Sequence, residues 1–91
     1  MLTKVQEKQL LKLARKAIES YFDKKPLKFE KEKKEFPKKQ GVFVTLTLRG
    51  ELRGCIGFPY PIKPLAEAIV EAAQSAASAD PRFAPLKKEE L

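Results

Sequence analysis

Histidine, tryptophan and asparagine are absent from this 91-residue chain, and cysteine and methionine each occur once. Without histidine, neither a Ser-His-Asp nor a Cys-His arrangement can be assembled within the chain. One cysteine and no histidine exclude a typical structural zinc site, so neither a metal nor a cofactor is expected. The lone thiol, Cys55, has no intramolecular partner, which excludes a disulfide framework and fits a reducing compartment. No apolar run approaches the roughly 18 residues that would cross a bilayer. Residues 1–13 mix apolar side chains with Lys, Glu and Gln and lack the apolar stretch of a signal peptide. The expectation is a cytoplasmic chain with no membrane association. Abundant Lys and Glu beside absent Asn point to a thermophilic source. Acid–base chemistry would fall to Asp, Glu, Lys or Tyr, and no pair of them is set apart.

What is present suits one small domain with a thin core. The net charge is +7 and the isoelectric point near 9.6. Residues 1–40 hold 13 Lys or Arg and 6 Asp or Glu, whereas residues 41–91 hold 6 of each, so the excess lies before Gly41. A basic excess raises nucleic-acid binding. Against it, the lysines between Asp23 and Lys39 alternate with Glu30, Glu32 and Glu35, as on a solvated loop. Of the four arginines only Arg15 lies in the basic half, and bidentate phosphate contacts favour Arg.

The spacing predicts a helix over 4–22, opened by a capping box of Thr3 and Gln6. Its apolar stripe is Leu10, Leu11, Ala14, Ala17, Ile18, Tyr21 and Phe22. Residues 23–41 read as a basic loop interrupted by Pro26 and Pro37, with a short extended segment around Leu27–Lys31. Leu27, Phe29 and Phe36 would pin it to the body. Val42–Arg49 is the clearest strand. Gly50-Glu51 would turn it into a second strand, Leu52–Phe58. In that register Leu48 faces Arg53 and Leu46 faces Cys55. Arg53 and Cys55 then share one face, and Leu52, Gly54 and Ile56 share the other with Thr45 and Thr47. Pro59, Pro61 and Pro64 lead to a second helix, 64–79, buried through Leu65, Ile69, Ala72 and Ala76. Pro81 ends it. The fold class is α+β: an antiparallel hairpin packed with two amphipathic helices. A lone hairpin is marginal, so further segments or a homo-oligomer are expected to complete it.

The run Leu52-Arg53-Gly54-Cys55-Ile56-Gly57 stands out. Glycines inside a strand weaken it and mark a bulge or a close approach. Arg53 could hold a carboxylate or phosphate bidentately, or favour a reactive thiolate at Cys55. The plainer reading is a small buried Cys55 and an Arg53 paired within the domain. Asp80-Pro81-Arg82-Phe83 is the second candidate. Asp80 would cap backbone N–H groups, Arg82 would pair with it or with Glu71, and Phe83 would plug the core.

The pieces Gly41-Val42-Phe43-Val44-Thr45-Leu46, Arg53-Gly54-Cys55-Ile56-Gly57 and Asp80-Pro81-Arg82-Phe83, in this order, make the chain resemble the AMMECR domain family. The resemblance covers essentially the whole chain and about the first half of the family domain. It implies an α+β fold with two subdomains, and a possible functional surface at Arg53, Gly54, Cys55, Ile56 and Gly57. It also implies protein partners, because prokaryotic members are named with a Memo-like protein and a radical S-adenosylmethionine protein. Three functions follow as expectations. The first is a binding or accessory domain using Arg53 and its neighbours, with Asp80 and Arg82. The second is an enzyme with Cys55 as nucleophile and its base elsewhere. The third is salt-sensitive nucleic-acid binding through the first 40 residues.

Overall fold

A computed structural model describes residues 2–91. Its elements are α1 (Lys4–Asp23), α2 (Glu30–Glu35), β1 (Val42–Leu48), β2 (Glu51–Phe58) and α3 (Leu65–Ser78), followed by a 3-10 turn at Lys88–Glu90. The two strands form one antiparallel sheet, so the expected α+β class holds.

The first helix starts where local chemistry dictates. Thr3 Oγ1 accepts from the Gln6 N–H at 3.1 Å, and Gln6 Oε1 accepts from the Thr3 N–H at 2.9 Å. Two orphan donors are thereby satisfied. Lys24, in the left-handed conformation, closes the helix. The buried face is Leu10, Leu13, Ala17 and Ile18. Leu13 therefore belongs to the stripe, whereas Leu11 and Tyr21 are exposed. At about 100° per residue, Leu11 sits on the flank of a face centred on Leu10, Leu13 and Ala17.

The segment expected to be a loop contains α2, so the extended piece around Leu27–Lys31 is corrected. Glu30 and Glu32 lie in its first turn and Lys33 and Lys34 in its last, which complements the helix dipole. Lys33 also pairs with Glu30 at 3.6 Å. The anchors behave as expected: Phe36 is buried, and Leu27 and Phe29 pack on the core.

The hairpin register differs from the expected one. Arg49 and Gly50 both take positive φ, 53° and 81°, and form the turn one residue earlier than read. Leu48 pairs with Glu51 and Thr47 with Leu52, and the ladder then shifts so that Leu46 pairs with Gly54 and Thr45 with Cys55. Arg53 is the extra residue on β2, a bulge. Cys55 thus lies opposite Thr45 instead of Leu46, and Gly54 and Ile56 face Leu46 and Val44 instead of the threonines.

Helix α3 is the centre of the molecule. Pro64 precedes its first turn, and it buries Leu65, Ile69 and six alanines. Both α1 and the hairpin pack on it. The small alanines permit close approach: Ala17 of α1 meets Ala73 and Ala77 in one apolar cluster. Gln74 Nε2 adds a hydrogen bond to the Ala17 carbonyl at 3.0 Å. No helix among the described residues is long and apolar enough to cross a membrane.

Candidate functional site

Each residue of the glycine-flanked run has its own direction. Arg53, displaced by the bulge, reaches the chain after α3. Its Nε and Nη2 donate to the Glu90 carboxylate at 2.7 and 2.9 Å. Its Nη1 and Nη2 also donate to the Ala84 and Pro85 carbonyls at 2.8 and 3.3 Å. This bidentate geometry is the strong form of the guanidinium–carboxylate contact. Gly54 lies against the helix, where a Cβ would come within 2.3 Å of the Ala76 carbonyl oxygen. Ile56 is half-buried on the same inward side. Gly57 is covered by the exposed ring of Phe43 on the opposite face.

Cys55 sits on that outer face. Its thiol is 3.4 Å from Thr45 Oγ1, and its backbone N–H donates to Asp80 Oδ2 at 2.9 Å. Asp80 is the one buried charged residue among those described, 5% exposed. Its Oδ1 accepts from the Arg82 backbone N–H at 3.0 Å and from Arg82 Nε at 3.1 Å, while Oδ2 accepts from Nη2 at 2.8 Å. A buried carboxylate is tolerated when paired and hydrogen-bonded in this way. The Arg82 guanidinium holds the Asp80 carboxyl well below the usual carboxylate range, aided by the backbone donors. Arg82 itself is half-exposed and lies 5.4 Å above the Phe83 ring.

The structure therefore brings Cys55, Asp80 and Arg82 together, and turns Arg53 towards Glu90. Arg82 pairs with Asp80; Glu71 is taken by Lys63. Phe83, expected to plug the core, is half-buried beneath Arg82 and outside both apolar clusters. Sequence reasoning passed over Phe43, Thr45 and Glu90. The first two acquire meaning only through the strand register, and Glu90 only through the path of the chain after α3. Among the described residues, no three His, Cys, Asp or Glu side chains converge as a metal site would require.

The AMMECR1 family model matches residues 11–91, a stretch that contains the whole site. The chain belongs to the AMMECR1 family. It is 49% identical over 92 residues to a protein of Methanothermobacter thermautotrophicus, covering 99% of this chain and 48% of that protein. It is 54% identical over 81 residues to a protein of Methanopyrus kandleri, covering 86% and 39%. It is also similar to the crystal structure of the uncharacterised protein PH0010 from Pyrococcus horikoshii. That likeness has a TM-score of 0.81 and 48% identity, covering 89% of this chain and 43% of that one. The chain thus spans about half the length of the AMMECR1 relatives it matches.

The latch between Arg53 and Glu90 gives this AMMECR1 chain an acid dependence. Hydrogen bonds from Arg53 and the Lys87 backbone hold the Glu90 carboxyl down at about 2. Its folded pKa is below the unfolded value of about 4.3. Its stabilisation is therefore fully present above that value and lost as the pH falls towards 2. Asp80 acts in the same direction. The thermal midpoint should fall between roughly pH 4.5 and 2, with a shallower fall in Glu90→Gln. Parallel curves for the two proteins would show that Glu90 is not part of the acid response.

Proposed function

We propose that this AMMECR1 chain is a binding or accessory domain that recognises a protein through the outer face of the hairpin where it meets the Asp80 corner. One observation carries the reading: a single buried carboxylate, Asp80, fixes both the Cys55 backbone and the Arg82 guanidinium. The strand register puts the Phe43 ring, the Thr45 hydroxyl and the Cys55 thiol on one face, and Asp80 ties the half-exposed Arg82 guanidinium to that strand at Cys55. Aromatic and Arg side chains are the groups that dominate protein interfaces. Arg53 plays an internal part, tying β2 to the chain after α3, and Arg82 is the cation presented outward. The family resemblance supplies the partner class, a Memo-like or radical S-adenosylmethionine protein, in the cytoplasm.

The competing readings have less support. A nucleophilic Cys55 needs a base, and the group beside its thiol is the Thr45 hydroxyl. The lysines of α2 alternate with Glu30, Glu32 and Glu35, which weakens a continuous phosphate-binding surface.

Calorimetric titration of purified Memo-like and radical S-adenosylmethionine proteins tests the proposal. Binding of one of them is expected, weakened about tenfold or more by Phe43→Ala and by Arg82→Ala. Arg15→Ala, on α1, should leave it unchanged. Failure of both proteins to bind, or affinities indifferent to both surface variants, would remove the proposal.

A further inference from the structure

We infer that the outer face of α1 docks on the phosphate backbone of a double-stranded nucleic acid. This surface shares no residue with the hairpin face assigned to a protein partner.

The sequence sets the charge in one row. Lys4, Lys8, Lys12 and Lys16 recur at every fourth residue, and Arg15 stands beside them. At about 100° per residue these five fall on the side of the helix opposite the buried Leu10, Leu13 and Ala17. All five are exposed. The row runs about 18 Å along the axis in steps of about 6 Å. Glu19, at its C-terminal end, is the carboxylate that shares this side. Asp23, a turn further on, is engaged by Lys88 at 2.9 Å.

The stability of the helix does not account for the row. Lysines four residues apart repel one another, and here three such pairs follow in succession. Lys4 and Lys8 stand at the N-terminal end, where the helix dipole disfavours cations, and the last turn, where cations would help, has none. Ion pairing does not account for it either. Among the described residues, the cations held in salt bridges are Lys33, Arg53, Lys63, Arg82 and Lys88, none of them in this row. An arrangement that works against its own element marks a functional surface.

Charge complementarity selects the occupant. A nucleic-acid duplex carries one negative charge per roughly 1.7 Å, and cations that neutralise its phosphates release condensed counterions. Four of the five cations are lysines, point charges without the bidentate fork of Arg, which suits contact independent of sequence. Residues 4–16 contain no aromatic side chain, so a single strand would find no platform for its bases. A helix lying in a lipid surface dips its apolar face into the bilayer, and that face of α1 is already buried in the core. Glutamates interrupt the lysines of α2; the α1 row is unbroken as far as Glu19.

Fluorescence anisotropy tests this with a mixed-sequence DNA duplex of about 20 base pairs and an RNA duplex of the same sequence. Affinity should fall roughly 40- to 500-fold between about 50 and 200 mM salt, as release at three to five phosphates requires. Binding of either duplex supports the assignment, and the tighter of the two names the source. Lys8→Gln with Lys12→Gln keeps good helix formers and relieves repulsion, so the thermal midpoint should not fall. Binding should weaken about tenfold or more, and the log–log salt slope should flatten by about 2. Lys8→Arg with Lys12→Arg should bind like the native chain. Lys31→Gln with Lys34→Gln removes the same charge from α2 and should change affinity less than about threefold. No binding to either duplex at about 50 mM salt overturns the assignment. Equal weakening by the α1 and α2 glutamine pairs does so too, since net charge alone would then be acting. A single strand bound as tightly as the duplex, or phosphatidylserine vesicles bound more tightly than either duplex, would likewise overturn it.

Discussion

Gly54→Ala is expected to destabilise the domain by about 3 kcal/mol, at the upper end of ordinary overpacking. The added Cβ would lie 2.3 Å from the Ala76 carbonyl oxygen and 3.3 Å from its carbonyl carbon. Both are backbone atoms, so no side chain can swing aside. The helix cannot simply retreat, because its other flank is filled by Ala17 against Ala73 and Ala77. In a domain of this size each kcal/mol shifts the thermal midpoint by about 4–8 °C. The melt should therefore move down by roughly 12–24 °C. Gly50→Ala is the control. Its Cβ meets nothing, and the cost is confined to a positive φ of 81°, worth about 1–2 kcal/mol. Urea melts of the two variants decide the matter. Equal losses would mean that β2 and α3 are not in backbone contact.

Asp80→Ala should produce the second large loss, lowering the midpoint by more than about 5 °C. The carboxylate receives the Cys55 N–H, the Arg82 N–H and two guanidinium donors. Truncation leaves the Cys55 and Arg82 backbone N–H groups facing a buried position without an acceptor, while the half-exposed guanidinium can turn to water; an unmade buried hydrogen bond costs more than a made one contributes. Asp80→Asn should fall between, since its amide retains one acceptor oxygen but sets an NH₂ group against a donor. Amide exchange locates the effect. The Cys55 amide should speed up in Asp80→Ala, while amides in the middle of α1 keep their protection. Unchanged Cys55 exchange would show that Asp80 serves the Arg82 turn alone.

Much of this fold was legible because its signals are local. Thr3 and Gln6 announce the start of α1, Pro64 precedes α3, and the alternation from Val42 marks β1. α2 was missed because six charged residues carry no apolar period, and its helix rests on charge placement between Phe29 and Phe36. The register was missed for a tertiary reason. Gly54 has to meet α3, and the strand accommodates this with an extra residue at Arg53 that no local pattern announces. The candidate site divides in the same way. Cys55, Asp80 and Arg82 were each recognisable as unusual residues in the sequence. That one carboxylate joins them depends on where the chain returns after α3. Arg53 carried two readings, an external carboxylate or phosphate and a partner within the domain; the second holds, and what the sequence did not name is the partner, Glu90.

The Phe43 ring packs against Gly57 on the outside of the hairpin. A glycine proton held beside an aromatic ring feels the magnetic field of the circulating ring electrons, so one Gly57 Hα resonance should stand apart from those of Gly41 and Gly50. The protein thereby carries its own spectroscopic label at the centre of the surface assigned to recognition. A molecule that settles there has to tilt or lift the ring, and that single resonance would move before any label was attached.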